Sequence, residues 1–90
     1  MVNKKRTFTD LNGNALILKS ELDVDVNAEK WIINLTLHKK TKMGKKLIDS
    51  KSVEKSGEWP QSAVKLLLVQ EELEMLRAAN VDITVSSLLQ

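Results

Sequence analysis

Residues 60–79, PQSAVKLLLVQEELEMLRAA, form the only long segment of this chain whose apolar residues recur with a helical period. The rest of the chain must fold so as to pack on it. On a wheel of about 100° per residue, Leu66, Val69, Leu73 and Leu76 share one face at the spacing of a packing seam. Val64, Leu68, Met75 and Ala79 lie on the opposite face. Gln70, Glu74 and Arg77 form a polar strip on one side, and Lys65 and Glu72 form one on the other. A helix that covers one sheet needs one apolar stripe. Two stripes call for two packing partners: the chain's own sheet, and either the C-terminal tail or a second molecule. Val64, Leu68, Met75 and Ala79 are therefore the candidate oligomer interface of an expected homodimer. The competing reading is one broad stripe whose far side is partly exposed. Pro60 suits the first helical position, where no backbone N–H is needed. Asn80 suits the left-handed residue past the end, and Arg77 suits the negative end of the dipole.

Upstream, the pattern is of strands. Thr7, Phe8 and Thr9 are followed by Asn12-Gly13 and then by Ala15, Leu16, Ile17 and Leu18. This predicts a β-hairpin closed by a two-residue turn, with Thr9 opposite Leu16 and Phe8 opposite Ile17. ELDVDV, residues 21–26, alternates strictly and reads as a half-buried strand or a continuation of the previous one past a bend. WIINLTLH, residues 31–38, is the strongest strand, with Trp31, Ile33, Leu35 and Leu37 on one face, so Trp31 is expected to be buried. Gly44 can take positive φ and close the next turn, and residues 47–53 return as the partner strand. Trp59, just before Pro60, is placed to pack back on the helix. Val81, Ile83 and Val85 alternate with Asp82 and Thr84, which predicts a short last strand, with 86–90 as a tail. The expected fold is α+β: an antiparallel sheet of four to five strands, built from two hairpins, packed against one long C-terminal helix.

Ninety residues make one domain, residues 1–90, and a chain this short buries a modest core. The absence of cysteine removes disulfides, thiolate metal sites and cysteine nucleophiles. A cytoplasmic location is expected: MVNKKRTFTD has a basic start but no apolar core of a signal sequence. No apolar run is long enough to cross a membrane. His38, the sole histidine, has no companion for a catalytic triad or a His-pair metal site. Gly13, Gly44 and Gly57 are isolated and suit turns rather than a phosphate-cradling loop. Asp10, Asn12 and Asn14 lack the glycine placement and distal Glu of an EF-hand. No catalytic residue, metal or cofactor is expected, and the chain reads as non-enzymatic.

The net charge is only +2, yet it is segregated: +3 over residues 1–20, −4 over 21–29, +6 over 30–55 and −3 over 56–90. Lys39, Lys40, Lys42, Lys45 and Lys46 crowd into eight residues around a β-turn. Flexible ammonium groups at such a site suit sequence-independent phosphate contact through counterion release. Lys4, Lys5 and Arg6 extend the patch if the strands are neighbours. The opposing reading is that lysines keep hairpin ends soluble and shield open edges. No aromatic residue or arginine within the patch is available to stack on or read bases. The sequence points to a small binding protein whose partner is nucleic acid, engaged through the lysine hairpin. The alternative is a small regulatory protein-interaction or inhibitor module, of the kind a mobile element carries, that uses its acidic strand and helix on a basic partner.

Overall fold

The computed structural model describes residues 2–89. Four strands, β1 (Val2–Thr9), β2 (Ala15–Asp25), β3 (Lys30–Thr41) and β4 (Gly44–Ser56), precede α1 (Gln61–Ala78) and a short α2 (Val85–Leu89). The strands pair in chain order, all antiparallel, so two hairpins make one meander. The acidic stretch ELDVDV is the second half of β2 and runs on without a break. Alternation sorts the two faces. Leu16, Leu18, Ser20 and Leu22 of β2 are buried on the helix side with Ile33, Leu35 and Leu37 of β3. Leu18 faces Leu37 and Leu22 faces Ile33. Trp31, expected to be buried, is half-buried at the margin of this core.

The first hairpin is one residue out of the expected register: Thr9 pairs with Ala15 and Phe8 with Leu16. Asp10 is the reason. Its carbonyl accepts the Gly13 N–H and its N–H donates to the Asn14 carbonyl, both at 3.0 Å. That closes a three-residue connection with Gly13 at φ 85°, the turn-plus-bulge alternative to the two-residue loop. The Asp10 carboxylate accepts the N–H groups of Asn12 at 2.9 Å and Asn14 at 2.8 Å and holds the loop from within. A one-residue slip moves side chains to the other face. Arg6 and Phe8 therefore lie beside Leu18 and Leu16 on the helix side, while Lys5 and Thr7 lie on the bare side with Lys19 and Ile17.

The helix has one buried stripe, not two. On the same wheel of about 100° per residue, buried Val64, Met75, Leu68, Glu72, Leu76 and Val69 occupy one continuous arc of roughly 140°. The expected oligomer face of Val64, Leu68 and Met75 thus lies inside the chain's own core, with Ala79 half-buried against it. It is not left over for a second molecule. Glu72, expected in a polar strip, sits in the middle of the buried arc at 1% exposure. Ser20, on the sheet below, donates to its Oε2 at 2.6 Å. Leu66, on the far side, is 51% exposed.

Pro60 is the N-cap, one position earlier than expected, and its carbonyl accepts the Ala63 and Val64 N–H groups. Asn80 takes the expected left-handed conformation at φ 65°. The Val81 N–H reaches the Leu76 carbonyl at 2.9 Å and the Asn80 N–H reaches Arg77 at 3.1 Å. These two bonds form a Schellman cap. Val81 and Ile83 are buried as their alternation implied, but in a segment with no strand partner among the described residues. That segment leads into α2 where a tail was expected; Gln90 lies outside the described residues. Leu88 of α2 joins the core, and Arg6 of β1 donates to its carbonyl at 3.2 Å through both terminal nitrogens. At the other edge, Lys51 of β4 binds Glu71 and, at 3.6 Å, Glu74 of α1. Charged side chains thus fasten the helical layer at both sheet edges. Among the described residues no helix is long and apolar enough to cross a membrane.

Candidate nucleic-acid interface

The β3–β4 hairpin outruns the sheet. Pairing of β3 with β2 ends at Lys39 opposite Leu16. Beyond that rung, Lys40 faces Lys45 and Thr41 faces Gly44, joined by Lys42 and Met43. Gly44 adopts φ 132°, outside the range an L side chain accepts readily. The strand pleat divides the lysines. Lys39 and Lys46, opposite each other, share the helix side with Leu16, and Lys40 and Lys45 project to the bare side. Met43 stands at the apex, 98% exposed.

Two successive rungs therefore place lysine directly against lysine. Like charges in that position are destabilising. A turn that only had to stay soluble would achieve this more cheaply with mixed signs. Among the described residues, no carboxylate lies within ion-pair distance of Lys39, Lys40, Lys42, Lys45 or Lys46.

The acidic groups present the opposite picture. Glu21 pairs with Lys19 at 3.1 Å and Glu54 with Lys30 at 3.2 Å. Asp25 accepts the Ala28 N–H, Glu71 and Glu74 hold Lys51, and Glu72 is buried on Ser20. Most of the acidic strand and helix is thus spent on internal contacts, whereas the lysine hairpin is not.

The N-terminal cations do not merge with the hairpin. Arg6 is committed to Leu88. Lys4 is half-buried on the helix side opposite Ser20, and Lys5 is exposed on the bare face opposite Lys19. Lys5 is separated from the Lys40–Lys45 rung by the row of Thr7, Ile17, His38 and Leu47. Lys19 was missed as a member of this face because its strand was read for apolar content alone. Met43 was missed because a single methionine in a turn carries no sequence signal.

A bulge at Leu37 and His38 makes Ile48 an extra residue in β4, and it leaves Leu47 and Ile48 exposed. A bulge and lysines along the outermost strand guard that edge against pairing with another chain.

Two titrating groups are displaced by their surroundings. The Asn14 backbone N–H has the largest influence on the Asp10 carboxyl; burial opposes it, but the Asn14 side chain, the Asn12 N–H and the charge of Lys39 add to it, and the carboxyl lies below its ordinary value. The hydrogen bond to Glu71, with the charges of Glu71 and Glu74, holds the Lys51 ammonium above its own.

With this geometry in hand, comparison with known proteins adds no relative: no family model, curated protein or solved structure matches the chain.

Proposed function

We propose that this chain is a small, non-enzymatic, cytoplasmic nucleic-acid-binding protein that engages phosphates through the β3–β4 hairpin. The observation that carries the reading is the pair of lysine-on-lysine rungs with no carboxylate within ion-pair distance among the described residues. The fold tolerates repulsion there, and a polyanion would relieve it while releasing its own counterions. The contact carries little base information, because ammonium groups on flexible stems are point charges. The protein-interaction alternative has less to stand on, since most of its acidic residues already hold partners within the chain. Self-association, if it occurs, uses a surface other than the buried helix stripe.

The test is a binding titration against DNA and RNA, single- and double-stranded, at two salt concentrations. Wild type should bind in a salt-sensitive manner. Lys42→Gln, Lys45→Gln and Lys46→Gln combined should weaken every sequence alike and flatten the salt dependence by about one unit of slope per lost phosphate contact. Absence of salt-sensitive binding to all of these would leave the hairpin a solubilising turn and move the protein-interaction reading ahead. Binding retained by the triple variant would shift the contact to Lys4, Lys5 and Lys19.

A further inference from the structure

We infer that the hairpin enters the major groove of B-form duplex DNA apex first, with its two faces carrying lysines to the two phosphate walls and Met43 resting on the groove floor. The inference rests on the nucleic-acid reading above and names the ligand within it. A protein that lies flat on a polyanion needs its cations on one face. Here Lys39 and Lys46 look to one side of the ribbon and Lys40 and Lys45 to the other. A flat contact or a lone strand engages one pair and leaves the other in solvent. Two facing walls of phosphate engage both.

The dimensions agree. The major groove, about 12 Å wide, admits a two-stranded β-ribbon. The minor groove, at about 6 Å, is too narrow. From the Lys39 rung to the connection is three residues, or about 10 Å of strand, against a groove depth of about 8.5 Å. A-form RNA has a deep, narrow major groove that does not admit side chains in this way. The apex fits the same site. Met43 is apolar and fully presented to solvent, and the apolar feature of the major-groove floor is the thymine methyl group.

Fluorescence anisotropy tests this with the intact chain. The probes are a short duplex DNA, the same duplex with deoxyuridine for thymidine, duplex RNA of the same sequence, and one DNA strand alone. The variants are K39Q/K46Q, K40Q/K45Q and M43A, each checked for a melting temperature no lower than that of wild type. K46Q replaces the first double variant if Lys39, which is half-buried, proves necessary for folding. Each double variant should weaken duplex binding and lower the salt slope by roughly two units. Deoxyuridine should weaken wild type a few-fold and leave M43A unaffected. Duplex RNA and single-stranded DNA should bind at least about tenfold less tightly than duplex DNA, lacking an accessible two-walled groove. If one double variant is silent while the other abolishes binding, the contact is flat and the inference fails. Equal binding to RNA duplex or single strand, or indifference of wild type to deoxyuridine, also overturns it, although the nucleic-acid reading stands. Absence of salt-sensitive binding to all four probes overturns that reading itself.

Discussion

The turn at residues 10–14 and the turn at 42–43 close neighbouring hairpins at the same end of the sheet, yet they are held in different ways. In the first, one carboxylate accepts hydrogen bonds from the Asn12 and Asn14 backbone and from the Asn14 side chain. The Leu11 N–H reaches across to the Asn80 carbonyl at 2.9 Å and ties the loop to the helix C-terminus. In the second, Lys42, Met43 and the flanking Thr41 and Gly44 are all exposed. Its nearest rungs repel. The first turn is part of the scaffold and fixes the register of β1. The second is merely carried by it, and its side chains remain free to meet something else. Functional loops are commonly of this second kind, set on a rigid base.

That base is testable first, with the largest effect. Leu37 is fully buried, two rungs below Lys39, beyond which the ribbon leaves the sheet, and it faces both Leu18 and Asp49. Leu37→Ala should cost about 2–5 kcal/mol, a large share of the stability of a domain this small. Met43→Ala, at the other end of the same hairpin, should cost nothing measurable. Chemical denaturation of the two variants is the comparison. Similar losses would mean that the ribbon is packed against something and is not free.

The glycines give the next contrast. A side chain at Gly13 or Gly44 meets no atom within 4 Å, so any cost comes from the backbone. Gly13, at φ 85°, lies near the left-handed region and Gly44, at φ 132°, well beyond it. Alanine at Gly13 should cost about 1–2 kcal/mol, and at Gly44 up to about 3 kcal/mol. Equal melting temperatures would show that the apex relaxes, with the ribbon then too soft to present a fixed shape.

The pattern of residues carried the four strands, the long helix and the face assignment of β3, because alternation and helical period are direct consequences of burial. It failed where one polar residue reversed the local reading. Asp10 turned an Asn-Gly hairpin into a three-residue connection, because its carboxylate competes for backbone N–H groups. Glu72 split one helix stripe into two, because a carboxylate in the middle of a core is rare unless partnered, and its partner, Ser20, lies 52 residues away in sequence. The segment at 81–84 alternates like a strand because it is half-buried, but among the described residues no strand pairs with it. Of the candidate site, the lysine cluster was visible as composition. Its division between two faces, and the diversion of Arg6 to Leu88, follow from register and were not.

Acid separates the turns again. Asp10 titrates below its ordinary value when folded, so it adds stability above the unfolded carboxyl pKa, and that contribution disappears as pH falls through the folded one. The window opens at about pH 4 and runs downward. Thermal melts of wild type should therefore fall more steeply below about pH 4 than those of Asp10→Asn, which has no charge to lose. Parallel curves would mean that the carboxylate accepts its bonds without favouring its ionised form. Substitutions in the 42–43 turn should leave the wild-type steepness intact.

The smallest effect is the most pointed, because its sign is opposite to the others. Lys46 faces Lys39 on adjacent strands. Lys46→Glu turns a repelling rung into an attracting one, and such cross-strand differences amount to about 0.2–1 kcal/mol. Lys46 is exposed, so solvent screening puts the expected gain at the low end of that range. The gain should shrink as salt is raised. Lys42→Glu is the control. Lys42 lies in the connection with no residue opposite, so its reversal should leave stability unchanged. Both variants should weaken nucleic-acid binding. A more stable Lys46→Glu protein that binds less well would show that the repulsion at the tip is retained for contact. If Lys46→Glu gained no stability at low salt, the rung would not be repulsive, and the physical argument for the hairpin as a phosphate-binding site would lose its main support.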